Sequence, residues 1–198
     1  MIKAIIFDLG GVILQNKVED VIKKISERLN IDYDSLFYLY KKHKQNMSSG
    51  KMSAKQFADL IKTKFKLDTD VIQEWKKAYL ETMPINEKMI NIVKELKKNY
   101  KVAMVSNIPE LHAQINKERG TFSYFNPTIL SCEVHLTKPQ KEIFKLTLRE
   151  LKLNPKECVF IDDREENLSV PNEMGFYTVL FRNSEQLIKD LGKIGIKF

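Results

Sequence analysis

Ala4 to Phe7 form a short unbroken apolar run that stops at a carboxylate, Asp8, and Gly10 and Gly11 follow at once. A run of this length closed by a turn signal reads as a strand buried on both faces. The period then changes. Val18, Val21, Ile22, Ile25 and Leu29 recur at the spacing of one helix face. Asn30 to Asp34 break that helix, and a second is expected from about Asp34 to Gln45, around Leu36, Phe37, Leu39 and Tyr40. Met47 to Met52, with Ser48-Ser49-Gly50, reads as a turn. Ser53 with Gln56 three residues on is a capping box that opens a third helix through Phe57, Leu60, Ile61 and Phe65. A fourth, from about Asp70 to Thr82, carries Val71, Trp75 and Tyr79. Residues 16–83 thus read as helical throughout.

From Pro84 the pattern alternates. Asn86 caps a helix through Met89, Ile90, Val93 and Leu96, and Val102 to Val105 is a strand ending in Ser106-Asn107. A helix from about Pro109, a short strand over Thr128 to Ser131 and a helix opened by Pro139 follow. Cys158 to Ile161 is a strand ending in Asp162-Asp163, a further helix leads to Gly175, and Tyr177 to Phe181 is the last strand. Ser184 is expected to cap a final helix. Strand–helix alternation of this kind predicts an α/β fold, a doubly wound parallel Rossmann-like core. Here it is split by an inserted α-helical cap: residues 1–15 and 84–198 are the core, and 16–83 are the cap.

Composition narrows this picture little. The 198 residues suit one such domain with its insertion. No apolar run approaches the ~20 residues that cross a bilayer, and the apolar start before Asp8 is too short for a signal peptide. A cytoplasmic, non-membrane protein is expected. Cys132 and Cys158 lack metal-ligand spacing and read as buried free thiols. The net charge is +7, from 33 Lys+Arg against 26 Asp+Glu. The lysines are scattered on helix faces, not interleaved with aromatics, so they read as a solvated surface without nucleic-acid binding. A positive field does favour phosphorylated small molecules.

The chemistry lies at the strand ends. Ligands of open α/β sheets bind at the carboxyl ends of the strands, which makes Asp8 the reactive candidate. Two adjacent carboxylates, Asp162-Asp163, repel each other unless a cation sits with them. Magnesium takes carboxylate and carbonyl oxygens together with phosphate oxygens. Asp8, Asp163 and the carbonyl of Gly10, with Asp162 alongside, would supply such a site. Lys138 stands just before Pro139 at a loop-to-helix entry, and His112 lies about one turn beyond Ser106-Asn107.

This order of motifs resembles the haloacid dehalogenase-like superfamily over essentially the whole chain. The resemblance implies that Asp8 is a nucleophile and that Ser106 and Lys138 bind the transferred phosphoryl group. It also implies that Asp162-Asp163 hold Mg2+. Ser106-Asn107 followed by His112, and Phe160-Ile161-Asp162-Asp163 followed by Asn167, look most like the small sugar-phosphate phosphatases of that superfamily. That adds Asn107 to the phosphate-binding set and makes His112 and Asn167 candidates for substrate contact or proton transfer. The implied activity is magnesium-dependent hydrolysis of a small phosphate ester through an aspartyl-phosphate.

Three residues depart from the family pattern. Gly10 stands where most phosphatases of the superfamily carry a second Asp as general acid and base. Its loss costs about 10²–10⁴ in rate and is expected to favour substrates with good leaving groups. His135 stands where Gly is common, and Pro171 requires its helix to start late. His43 reads as a solvated cap residue, and Trp75 and Tyr79 as cap core. Competing readings are a hydrolytic dehalogenase of the same fold, which the acidic pair disfavours, and a non-catalytic binding module, which Gly10 favours. A receiver domain is discounted, because its acidic pair would follow the first strand.

Overall fold

The computed structural model describes residues 1–197. β1 (Ala4–Phe7) leads into four helices: α1 (Val18–Leu29), α2 (Tyr33–Ser48), α3 (Ala54–Phe65) and α4 (Val71–Thr82). The chain then runs through α5 (Glu87–Leu96), β2 (Lys101–Ser106), α6 (Glu110–Glu118), β3 (Thr128–Leu130), α7 (Ser131–Val134) and α8 (Lys141–Leu151). β4 (Cys158–Asp162), α9 (Ser169–Met174), β5 (Tyr177–Leu180) and α10 (Ser184–Lys193) complete it. The five strands form a parallel sheet in the order β3-β2-β1-β4-β5. This is the expected α/β fold with a helical insert.

Strand residues alternate between the two faces, as a pleated sheet requires. Ile5, Phe7, Val102, Met104, Val159 and Ile161 pack with Met89 and Val93 of α5 and Leu187 and Leu191 of α10. Ala4, Ile6, Ala103, Val105, Cys158 and Phe160 pack on the other side with Ile143 and Phe144 of α8. Both faces are covered, which is why the strands read as continuous apolar runs. The chain winds from β1 to β2 and β3, then crosses over to β4 on the other flank of β1. The direction of winding therefore reverses between β1 and β4, where a ligand crevice opens. Asp8 and Asp162 stand at the ends of these two neighbours, with Phe7 paired to Ile161 and Asp8 N–H bonded to the Ile161 carbonyl at 2.9 Å.

The two links between insert and sheet lie side by side. Leu14 and Ile85 form an antiparallel bridge, Asn86 N–H donates to the Ile13 carbonyl at 2.8 Å, and Asn16 Nδ2 donates to the Thr82 carbonyl at 2.7 Å. The Ser53–Gln56 capping box forms as expected.

Several boundaries move. α2 continues to Ser48, because Met47 still falls on its buried face with Leu36 and Tyr40; the expected turn shortens accordingly. α8 begins at Lys141 instead of Pro139, since Thr137 N–H is taken by the Gln140 side chain at 2.7 Å. The cap of α10 is Asn183, whose side chain accepts from Gln186 N–H, and Ser184 is the first helical residue. Pro171 falls in the first turn of α9, where no intrahelical N–H is lost. Cys158 is buried in β4, whereas Cys132 is half-buried in α7, outside any strand. Burial pushes both thiols up, to about 11 for Cys132 and about 12 for Cys158.

Candidate active site

Lys138 is the centre of the site. Its ammonium lies 2.6 Å from Asp8 Oδ1 and 2.6 Å from Asp162 Oδ2, and all three side chains are almost wholly buried. Lys138 comes from a loop, so its position needs a brace. Asn107 supplies one: its Oδ1 accepts from Lys138 N–H at 2.8 Å, and its Nδ2 donates to the Lys138 carbonyl at 2.8 Å. The side chain of Asn107 is thus turned to the Lys138 backbone. Asp162 is braced too. It accepts from Arg164 N–H at 2.9 Å and from Asn167 Nδ2 at 3.0 and 3.1 Å. Asp8 Oδ2 and Ser106 Oγ have no hydrogen-bond partner among the described residues, and both residues line the cavity above the sheet.

The electrostatics follow from burial. Desolvation and the neighbouring Asp162 and Asp163 push Asp8 up to about 7, against the pull of Lys138. Burial opposes the charge of Lys138, yet the two carboxylates hold its pKa above the ordinary lysine value. These directions conflict, because an ion pair at 2.6 Å favours both charged forms. The ionised pair is the better description when a further cation shares the cluster. Asp163 is also raised, by desolvation and by Asp162.

The cluster fits a divalent cation. Carboxylate oxygens of Asp8, Asp162 and Asp163 lie within 4.8 Å of one another. Three ionised carboxylates against one ammonium leave two negative charges, with Asp8 and Asp162 buried and Asp163 exposed, and an all-oxygen donor set suits a hard dication. Asp162 has both oxygens occupied, which leaves Asp8 and Asp163 as the freer donors. Gly11 makes the arrangement possible: its φ is +74°, and a Cβ there would sit 2.3 Å from Asp163 Oδ2. Gly10 is different. A Cβ at Gly10 would meet nothing within 4 Å, and its φ lies outside the left-handed region. The backbone therefore does not require glycine at position 10.

The cavity of ≈ 520 Å³ lies between the carboxyl edge of the sheet and the helical insert. It brings together Asp8, Gly10, Ser106, Asn107, His112, Lys138, Asp163 and Asn167; Asp162 sits beneath, fully buried. His112 accepts from Trp75 Nε1 at 2.9 Å, and burial holds its pKa down at about 3, with the Arg119 charge adding to the effect. Trp75 and Tyr79 are buried in the insert core. His43 does not line the cavity. His135 has φ +58° and bonds through Nδ1 to the Ser49 carbonyl at 2.9 Å. Asn16 and Lys17 line the cavity, and of the 47–52 segment only Ser48 does. Glu19, Tyr40, Lys44 and Arg164 also line it and were not singled out in the sequence. Tyr40 and Lys44 share a face of α2 at i, i+4, a signal indistinguishable from an ordinary half-buried helix face.

Residues 2–175 match the family described as haloacid dehalogenase-like hydrolase. D-ribitol-5-phosphate phosphatase of Bacteroides thetaiotaomicron is 27% identical, over 90% of this chain and 91% of its own length. Glyceraldehyde 3-phosphate phosphatase of Methanocaldococcus jannaschii is also 27% identical, over 90% of this chain and 84% of its own. Bifunctional epoxide hydrolase 2 of Rattus norvegicus is 26% identical over 95% of this chain, which spans 38% of that longer protein. Among solved structures, a HAD family enzyme of Bacteroides thetaiotaomicron in complex with magnesium and inorganic phosphate superposes with a TM-score of 0.82 at 24% identity. That match covers 94% of this chain and 99% of the other.

Proposed function

The chain belongs to the haloacid dehalogenase-like hydrolase family, and on that premise we propose that it is a magnesium-dependent phosphatase of a small phosphorylated metabolite, a sugar phosphate. One observation carries this reading: Asp8, Ser106, Lys138 and Asp163 converge on one cavity under the helical insert, with Asp162 beneath them, so that three carboxylates face one ammonium. Relatives named as sugar- or polyol-phosphate phosphatases support the substrate class.

In the proposed mechanism Lys138 holds Asp8 by Oδ1, so Oδ2 is presented to the cavity. Oδ2 attacks phosphorus, the bond from phosphorus to the leaving oxygen breaks, and an aspartyl-phosphate forms on Asp8. Water then cleaves the acyl phosphate and regenerates the carboxylate. Ser106 Oγ donates to a phosphoryl oxygen, and Lys138 offsets its charge. Asp8 and Asp163, with the carbonyl of Gly10, would hold Mg2+, whose role is to neutralise charge on the phosphoryl oxygens. Asp162 and Asn107 position Lys138, and Asn167 positions Asp162. Residues 16–83 act as a cap that closes over 1–15 and 84–198 and selects the leaving group. Asp8-Leu9-Gly10-Gly11-Val12 is the variant first motif without the second Asp. Its missing proton carrier directs the enzyme to good leaving groups, anomeric or acyl phosphates before primary alkyl ones.

The test is a panel of phosphate esters assayed with magnesium, with chelator and with Asp8→Asn. Activity is expected only in the first case, and activity surviving in Asp8→Asn would falsify the nucleophile. A chelator-insensitive activity on halogenated acids would instead support a dehalogenase. For the leaving-group preference, log kcat/KM is expected to rise as the leaving-group pKa falls.

A further inference from the structure

His112 is a titratable ring in the active cavity, yet its hydrogen bonding removes it from proton transfer. An indole N–H can only donate. Trp75 Nε1 lies 2.9 Å from His112 Nε2, so Nε2 must accept and its lone pair is occupied. A neutral imidazole with Nε2 accepting carries its proton on Nδ1. Protonating the ring would turn Nε2–H against the indole N–H and break that bond.

The surroundings reinforce this. From α4, Trp75 and Tyr79 face the ring, the latter with centroids 4.4 Å apart. From α6, Asn116 Nδ2 donates to the His112 carbonyl at 2.8 Å, and the charge of Arg119, just after α6, disfavours a protonated ring. From α2, Tyr40 stacks on Trp75 with centroids 6.2 Å apart. No carboxylate pairs with His112 among the described residues. Among the described residues Nδ1 has no hydrogen-bond partner, and His112 lines the cavity that holds Asp8 and Ser106.

We propose that Trp75 fixes His112 as the Nδ1–H tautomer, and that this neutral ring is a hydrogen-bond donor to an uncharged oxygen of the leaving group. The assignment rests on the phosphatase reading and deepens it. A donor without acceptor capacity selects hydroxyl, ether or carbonyl oxygens and opposes an ammonium at the same place. The leaving groups it fits are polyols, sugars and hydroxy aldehydes, in preference to amino alcohols. His112 is then not the replacement for the missing proton carrier at Gly10.

Three measurements on the full chain test this. Nitrogen-15 NMR of His112 is expected to show Nδ1–H with Nε2 bare, unchanged from pH 5 to 8; an Nε2–H ring or a charged ring at pH 7 overturns the tautomer. Asp8→Asn, expected to bind esters without turnover, is titrated with sorbitol 6-phosphate or phenyl phosphate in the presence of magnesium. The His112 Nδ1–H resonance is expected to shift with the polyol ester alone. Both esters binding without a shift overturns the donor role, and neither binding removes it together with the phosphatase reading. Trp75→Phe frees Nε2. The nitrogen-15 spectrum is then expected to show both neutral tautomers of the still-buried ring, and KM for sorbitol 6-phosphate to rise about tenfold with kcat little changed. A fall in kcat with KM unchanged would return His112 to proton transfer.

Discussion

Gly10 and Gly11 are adjacent, yet the structure gives them opposite reasons for being glycine. Gly11 has φ +74° and would drive a Cβ into Asp163 at 2.3 Å. Gly11→Ala is therefore expected to cost about 1 kcal/mol or more in stability and to weaken magnesium binding, read by thermal unfolding and by magnesium titration of activity. At Gly10 a side chain has open space and an ordinary backbone. Gly10→Asp is expected to keep the melting temperature within a few degrees. It should raise kcat on a primary alkyl phosphate by about 10², with little gain on an aryl phosphate. A variant that folds, binds magnesium and gains nothing on alkyl esters would show that position 10 is not what limits leaving-group protonation.

At the scale of elements, the insert is fastened to the core on both sides besides its links. Ser131 Oγ, at the start of α7, donates to the Ser48 carbonyl at 2.6 Å, and His135 Nδ1 donates to the Ser49 carbonyl at 2.9 Å. On the other side, Arg119 after α6 donates to the Met83 carbonyl at 2.7 Å and to Asn116 Oδ1, while Asn116 Nδ2 donates to Tyr79 OH at 2.8 Å. His135 tolerates a left-handed backbone to make its contact, a conformation Asn adopts more readily. His135→Asn is expected to leave the sheet intact and release the α2–α3 loop. Hydrogen exchange should speed up over residues 46–53 and not over β1, β2 or β4, and KM should rise more than kcat falls.

The whole molecule depends on the charge of its buried cluster. Asp8 is pushed up to about 7 in the fold from an ordinary 3.8, so the metal-free native chain binds a proton that the unfolded chain has lost. Its stability contribution falls as pH rises from about 4 to about 7. His112 works in the opposite sense, being held neutral down to about 3 against an ordinary 6.5, so stability is lost as pH falls through that interval. The difference made by magnesium isolates the carboxylates, because His112 lies outside the cluster. The gain in melting temperature on adding magnesium is expected to increase from pH 5 to pH 7.5. At a concentration of 100 Kd it corresponds to about 2.7 kcal/mol. Asp8→Asn should flatten that trend, and an equal gain at both pH values would count against the cluster as the metal site.

The parallel sheet, the helical insert and the strand-end carboxylates were legible in the sequence, because buried strands and amphipathic helices impose periods that survive without tertiary information. Asp8, Ser106 and Asp163 stood out for a related reason: a polar group that closes an apolar strand has few places to go but the ligand crevice, whereas Lys138, on a loop, stood out only through the resemblance of the motifs around it. What depended on neighbours distant in the chain was not legible. Asn107 is a brace for Lys138, His112 is locked by Trp75 from the insert, and α2 contributes Tyr40 and Lys44 to the cavity. Local pattern fixes which residues face inward and where strands end. Only packing decides which side chain's lone pair is occupied, which carboxylate remains free, and whether a glycine is there for its backbone or for the space beside it.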